Sequence, residues 1–364
     1  LADAISSLKG SSLTPDQARA VFDDISPEVV GGFASTRLSV ARRVNDQVQA
    51  RIRDMWWHAA APYWNSGESS ASSAGGSAPV QAEGDSGFGS WLDGYGVWGD
   101  LEGNSNYADL DYDIGGLTLG ADYRFGENWL VGGAGGWARS QHGLDGRAAS
   151  GESDNYHSVL YLGYATPLFH AGVSARGALV EMETERPIDY PMFSETARGD
   201  FDGVGWGARI ETGINALHWF DIDFQPFVGF DYAHLQHDAF DEQGSAYSMR
   251  VSSNEVDSEL LELGLRLRSR VELGDQTWMY PELGLAWLYE FGDLDRRVQS
   301  HLLGDDARTP INVQSAKPVR GSLVGTLRWA VSIANRLHAF AGYTIQVDKA
   351  LVEQQVTAGL RLRW

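Results

Sequence analysis

Three stretches of the chain bring together residue types that could do chemistry. His157-Ser158 sets a base beside a hydroxyl, as a hydrolase needs. His234, His237 and Asp238 are the residue types of a metal site or a protease. Asp109, Asp111 and Asp113 alternate, as carboxylates do at the start of a Ca²⁺ loop. Spacing weighs against each. Neighbours in a strand point to opposite faces, so His157 and Ser158 do not simply act together. The His234 group lies where a strand pattern runs into a long loop with scattered acids, and reads as solvated loop. A Ca²⁺ loop needs Gly at its sixth position and Glu at its twelfth, where this chain has Ile114 and Gly120. The three aspartates read as a charged strand end in water. Neither a cofactor nor a metal is expected. Cys is absent, which removes disulfides and thiolate ligands.

Charges do recur in a pattern elsewhere, on alternating segments. In the last eight residues Ala358, Leu360, Leu362 and Trp364 share one face, with Thr357, Gly359, Arg361 and Arg363 on the other. Leu261, Leu263, Leu265, Leu267 and Val271 oppose Glu262, Gly264, Arg266, Arg268 and Arg270. Phe220, Ile222, Phe224, Val228, Phe230 and Tyr232 oppose Asp221, Asp223, Gln225 and Asp231. Val204, Trp206, Ala208 and Ile210 oppose Arg209 and Glu211, and Leu117, Leu119, Ala121 and Tyr123 oppose Asp122 and Arg124. Charged rows are costly in a protein core. They suit a barrel in a membrane, where the apolar face meets lipid, the charged face lines a polar lumen, and a terminal Trp anchors at the interface.

The elements that carry these rows are strands. Aromatics are abundant (13 Trp, 14 Tyr, 14 Phe) and Gly numbers 43, which favours strands and tight turns. No run of 18 apolar residues marks a transmembrane helix. Twelve strands are expected, near 88–102, 110–125, 128–142, 152–166, 168–184, 199–214, 218–236, 255–272, 276–291, 320–333, 337–348 and 351–364. Short connections such as Gly126-Glu127-Asn128 alternate with long polar ones at 185–198, 237–254 and 292–319; Lys349-Ala350 breaks the alternation. Outer-membrane barrels have this asymmetry of tight inner turns and long outer loops. The expected fold is all-β: a 12-stranded antiparallel transmembrane β-barrel, both ends of its sheet on the periplasmic side.

The first 87 residues differ. Thr14-Pro15-Asp16 opens a short helix, and Ser26-Pro27-Glu28 repeats the signal. Leu38, Ala41, Val44, Val48, Ile52 and Met55 make an apolar stripe at helical spacing, with Arg37, Arg42, Arg43, Arg51 and Arg53 around it. This helix is basic in a chain of net charge −21. Residues 60–87 are rich in Ser, Ala and Gly and read as a flexible linker. The expected division is 1–35 as a helical junction, 36–59 as the helix, 60–87 as the linker and 88–364 as the barrel. The acidic charge argues against nucleic acid. The chain starts at Leu1-Ala2-Asp3 with neither an initiator Met nor a signal segment, which predicts the C-terminal part of something longer or a processed product.

Several stretches resemble the translocator β-domain of monomeric autotransporters, the type V secretion family of Gram-negative bacteria. Trp91-Leu92-Asp93-Gly94-Tyr95-Gly96 is similar to that family's first strand, Gly116-Leu117-Thr118-Leu119-Gly120-Ala121-Asp122 to its second, and Ser150-Gly151-Glu152-Ser153-Asp154-Asn155-Tyr156-His157 to the start of its fourth. Thr357, Gly359, Leu362 and Trp364 resemble its C-terminal assembly signal, with Trp where Phe is commoner. The resemblance implies an N-terminal passenger exported to the cell surface, insertion by the β-barrel assembly machinery, and the 36–59 helix retained in the pore of a monomer in outer-membrane lipid. At ~1.5 Å per residue, Thr36 to His58 spans about 34 Å, enough to cross a ~30 Å hydrocarbon layer. The resemblance also implies a cleavage site in some members, an Asn in the helix that attacks its own backbone carbonyl with barrel acids assisting. Asn45-Asp46 matches it only loosely, since the usual Asn-Asn is not present; Asp221, Asp223, Asp231 and Glu211 are candidates for the assisting carboxylates. The alternatives are a helix-plugged porin-like channel, a barrel enzyme, and a soluble β-protein.

Overall fold

The structure, a computed structural model, describes residues 22–64 and 87–363, apart from 127, 167, 191, 192, 215, 216, 319 and 335. Twelve antiparallel strands make the wall: β1 (Gly87–Leu101), β2 (Leu110–Phe125), β3 (Trp129–Leu144), β4 (Ser150–Ala165), β5 (Phe169–Tyr190), β6 (Phe193–Ile214), β7 (Ile222–His237), β8 (Asn254–Ser269), β9 (Thr277–Glu290), β10 (Gly321–Ile333), β11 (Leu337–Val347) and β12 (Leu351–Arg363). Each pairs with its neighbour in sequence, and β12 returns to β1 in a register that runs from Gly89 opposite Arg363 to Leu101 opposite Leu351. Closure leaves no free edge in the wall, which a bilayer requires because its core offers backbone groups no water.

The burial of side chains is inverted relative to a soluble domain. Leu119 is 62% exposed and Leu160 72%, while Asp122 is 4% and Glu211 0%. Apolar side chains point out and charges point in, as period-two alternation demands once the outer solvent is lipid. On β1 the outward Phe88 and Trp98 are ten residues apart, about 33 Å along a strand. Tilted by ~45° that is close to the ~25 Å apolar band of such barrels. Phe125, Trp129, Trp219 and Phe220 lie exposed at the short-turn end with Phe88, and Trp137, Trp206 and Trp287 at the other with Trp98.

Inside the wall runs α1 (Gly32–Trp64), 33 residues, preceded by a 3₁₀ turn at Glu28–Gly31. At ~1.5 Å per residue the helix is about 50 Å long. It is longer at both ends than the 36–59 expected from the sequence. Residues 22–25 are helical, but the start of the short helix expected at Thr14-Pro15-Asp16 lies outside the described residues, as does most of the linker. The helix leans on one side of the lumen, against β2–β5 and β7. Two lumen-facing glycines there make room for it: a Cβ on Gly163 would stand 2.8 Å from Ile52 Cγ2, and one on Gly172 2.7 Å from Gln49 Oε1.

The long connections need correction. Residues 185–190 and 193–198 are not loop but the far ends of β5 and β6, paired to Tyr190 opposite Phe193. Segments of 237–254 and 292–319 form a second sheet, in the order Ile311–Gln314, Arg297–Leu302, Met249–Val251, Phe240–Asp241. Each piece is two to six residues long, too short for alternation to show in the sequence. This sheet caps the outer mouth.

Candidate functional site

The lumen is where the sequence put its charges, and there the helix meets the wall through a series of carboxylates. Nearest the outer mouth, Glu353 on β12 accepts from Ser39 Oγ at 2.7 Å and Tyr112 OH at 2.6 Å and pairs with Arg43. One turn on, Asp231 on β7 takes Arg176 at 2.9 and 3.0 Å and the side-chain amide of Asn45. Asp122 on β2 holds Arg51 through two bonds of 2.6 Å and also accepts from Tyr161 OH at 2.9 Å. Glu211 on β6 sits among Arg53 at 3.2 Å, Arg266 at 3.0 Å and Arg209 at 2.9 Å. Last, the helix supplies the acid: Asp54 pairs with Arg328 at 3.1 Å, Arg268 at 3.6 Å and Arg361. Fully buried carboxylates are tolerated only with such partners. Arg37 differs, donating to the backbone carbonyls of Val204 at 2.7 Å and Gln236 at 3.1 Å.

Away from β2–β5 the fit is looser. A cavity of about 140 Å³ separates the helix from β8–β12, lined in part by Arg42, Asp46, Gly284, Ala286, Thr326 and Thr344. Arg266 stacks on Phe227, its guanidinium carbon 3.4 Å from the ring centroid. Phe340 lies between Arg328 and Arg361, each 4.7 Å from its centroid.

The outer end is closed by packing. Val29, Val30 and Phe33 pack with Phe201, Phe240, Val251 and Val298. Arg186, 1% exposed, holds Glu242 at 2.5 Å and donates to the Asp24 carbonyl at 2.9 Å. Glu28 accepts from the Ala108 N–H at 2.7 Å and pairs with Arg147 at 2.6 Å. Burial pushes the Glu28 carboxyl above its ordinary range, against the opposing pull of that N–H and of Arg147.

Of the residues singled out in the sequence, Arg124, Arg209, Glu211, Asp223, Asp231, Glu262, Arg266, Arg268, Arg361 and Arg363 fall on the lumen-facing phase of their strands. Asp221 does not. With Phe220 it takes a positive φ in the tight turn before β7, and its side chain is 93% exposed. The turn removes both residues from the alternation. Arg270 lies past the end of β8, over the Trp278 ring at 3.4 Å. Thr357 and Gly359 face the lumen, Leu362 faces lipid, and Trp364 lies outside the described residues. Asn45 is buried, its amide nitrogen on Asp231 and its oxygen accepting from Ser174 Oγ at 3.4 Å; Asp46 turns to the cavity, 3.3 Å from Arg43. His157 meets Thr118 Oγ1 at 3.0 Å across the lumen wall, and Ser158 points outward. His234 bonds Asp257 at 2.9 Å on the outside of the barrel. Among the described residues no group of three His, Cys, Asp or Glu is placed to hold a metal. The sequence reasoning missed Asp54, Glu353 and Arg328. Glu353 and Arg328 lie in phase with the inward rows and could have been found by extending them.

A family model described as the autotransporter beta-domain matches residues 90–344. The chain belongs to that family. Its fold matches the translocator domain of the autotransporter NalP from Neisseria meningitidis, with a TM-score of 0.63 at 17% identity over 90% of this chain and 98% of that one. It also matches the beta domain of the Bordetella autotransporter BrkA, with a TM-score of 0.58 at 16% identity over 76% of this chain and 100% of that one. Among curated proteins it is 26% identical over 288 residues to an extracellular serine protease of Serratia marcescens, covering 76% of this chain and 26% of that protein. It is 23% identical over 267 residues to esterase EstA of Pseudomonas aeruginosa, covering 72% of this chain and 41% of that protein. The chain thus spans well under half the length of these relatives. As an autotransporter β-domain it is an outer-membrane translocator rather than a catalyst.

Proposed function

We propose that residues 87–363 form the conduit and anchor for a passenger attached ahead of residue 22, and that α1 is the tail of that passenger's path, held in the pore when export ends. The observation that carries this reading is the series of charged ties along α1. They fix a basic helix in one register, with its N-terminal end at the outer mouth. In this reading 1–35 is the junction to the passenger, the helix is the plug, and 60–87 leads back to β1. The surrounding partner is outer-membrane lipid, met by the exposed leucines and the two aromatic belts. The β-barrel assembly machinery takes Thr357, Gly359, Leu362 and Trp364 as its signal, and the barrel works as a monomer. A reporter domain fused ahead of Leu1 should appear on the surface of cells carrying the folded barrel, where added protease removes it. A reporter that stays inside while the barrel is folded overturns the reading and favours a plugged channel.

The Asn45–Asp231 hydrogen bond supports a second reading for the end of export. The Asn45 amide nitrogen forms a bond to its own backbone carbonyl carbon as Asp231 takes one of its protons; the bond to the Asp46 nitrogen breaks, that nitrogen leaves as an amine carrying the proton, and a succinimide remains at Asn45. Mass spectrometry of the barrel from native membranes should then give a chain that begins at Asp46. A chain continuous through Asn45 rejects it.

A further inference from the structure

Most arginines of the lumen have a carboxylate partner, and those at its short-turn rim do not. Arg43, Arg51, Arg53, Arg176, Arg209, Arg266, Arg268, Arg328 and Arg361 each pair with a carboxylate in the lumen. Arg124, Arg270, Arg336 and Arg363 do not; among the described residues none of the four makes an ion pair. These four are gathered at the short-turn end, which faces the periplasm. Arg363 donates its backbone N–H to Arg336 O at 2.9 Å, so the two are neighbours across β11 and β12. In the ladders on either side of β1, Arg363 stands opposite Gly89 and Arg124 opposite Gly87. With strands ~4.8 Å apart and the two positions offset by two residues along β1, Arg363 and Arg124 are about 12 Å apart; the Arg51–Asp122 pair lies beside Gly89 between them. Arg270, over Trp278, continues the arc on the far side of β9 and β10. The arc therefore runs from the end of β8 past β12 and β1 to β2, and most of it lies on the side on which the cavity separates the helix from the wall.

We propose that this arc is a capture site for acidic, extended polypeptide at the periplasmic entrance of the pore. The inference rests on the translocator reading and names the chemistry of the chain it takes. Four unpaired guanidiniums in partly exposed positions attract carboxylates, and their planar forks can hold one through two bonds. Exposed pairs are individually weak and screened by salt, so the arc gathers an acidic segment without trapping it. The stretch ahead of the helix has the matching charge: residues 1–31 carry Asp3, Asp16, Asp23, Asp24 and Glu28 against Lys9 and Arg19. In the translocator reading these residues have already crossed. The sign changes at α1, whose arginines find acids in the wall, and there the chain stops.

The test uses the whole chain folded in detergent and three fluorescent peptides of about 12 residues, built from Glu and Ser, Lys and Ser, or Gly and Ser; at ~3.3 Å per residue each spans the arc. Anisotropy should show the Glu peptide bound, the other two not, and binding weakened about ten-fold on raising NaCl to about 0.5 M. Replacing all four residues (Arg124→Gln, Arg270→Gln, Arg336→Gln, Arg363→Gln) should weaken it about ten-fold or more, while Lys at the same four positions retains it. Heat-dependent gel mobility establishes that each variant is a folded barrel. Equal binding of Glu and Lys peptides, or a Gln variant that binds as the wild type does, overturns the capture site. A neutral reporter ahead of Leu1 separates the two ideas. If it reaches the surface while the Glu peptide fails to bind, the capture site falls and the translocator stands. If it stays inside although the barrel is folded, the translocator reading falls.

Discussion

Gly359 shows how one residue of the closing strand is tied to the structure around it. It faces the lumen on β12, and the Phe340 ring of β11 lies over it, so that any Cβ there meets the ring. The same ring separates Arg328 from Arg361. Gly359→Asp drives a carboxylate into that ring and should cut the amount of folded barrel in the membrane several-fold. Normal levels of heat-modifiable barrel in outer-membrane fractions would count against this. Trp91 over Gly120 and Tyr161 over Gly132 repeat the arrangement. The alternation made Gly359 visible in the sequence, but the ring above it was not, because Phe340 comes 19 residues earlier and only the ladder pairs them. Glu28 is a second residue with a readable consequence. Its carboxyl is raised in the folded state, so the folded protein binds that proton more tightly than the unfolded chain does. The outer plug should therefore gain stability as pH falls through the carboxylate range and lose it as pH rises through the raised pKa. Hydrogen exchange in Val29–Phe33 should slow from neutral to mildly acid pH, and Glu28→Gln should flatten that slope. An unchanged slope rejects the assignment.

At the level of elements, α1 is held by polar ties at several heights, and its apolar stripe serves only one side. Val44, Val48 and Ile52 pack with Trp91, Leu130, Val159 and Tyr161. That stripe was legible from three- and four-residue spacing. What it packs on was not, since a stripe looks the same whether it meets a soluble core or the inside of a barrel. Asp54 is the tie on which most depends. It faces Arg268, Arg328 and Arg361 from three different strands, and Arg361 also donates to the Ala50 carbonyl at 3.5 Å. Asp54→Asn leaves three buried guanidiniums without their shared anion. Breaking a buried ionic group in this way costs about 3–5 kcal/mol. The change should free the inner half of the helix, seen as faster proteolysis near residue 54, while the outer plug around Phe33 stays protected. Equal protection of both halves would show that the packing, not the charge, holds the helix. The outer sheet was the least legible element. Its pieces come from two separate connections, and their partners are set by the long β5–β6 hairpin that Arg198 and Gln243 join to it.

For the whole molecule, the asymmetry of the lumen is the feature with mechanical consequences. The sequence disclosed a twelve-stranded wall and a basic helix, because alternation and helical spacing are local signals. It could not disclose that the helix lies to one side, because that depends on glycines and small residues placed on opposite walls. Gly163 and Gly172 admit the helix on one wall; Gly284, Ala286, Thr326 and Thr344 leave space on the other. The two walls should respond differently to added bulk. Gly163→Leu puts a side chain where Ile52 already stands and must push the helix from its seat, whereas Thr326→Leu fills part of the cavity without touching the packed side. In planar bilayers the Gly163→Leu barrel should conduct more than wild type, because a displaced helix opens the lumen. Thr326→Leu should conduct the same or less, because it narrows the cavity of about 140 Å³ beside the helix. If the two variants change conductance in the same direction, the helix is not seated against β2–β5 in the membrane, and the cavity is not a path beside it.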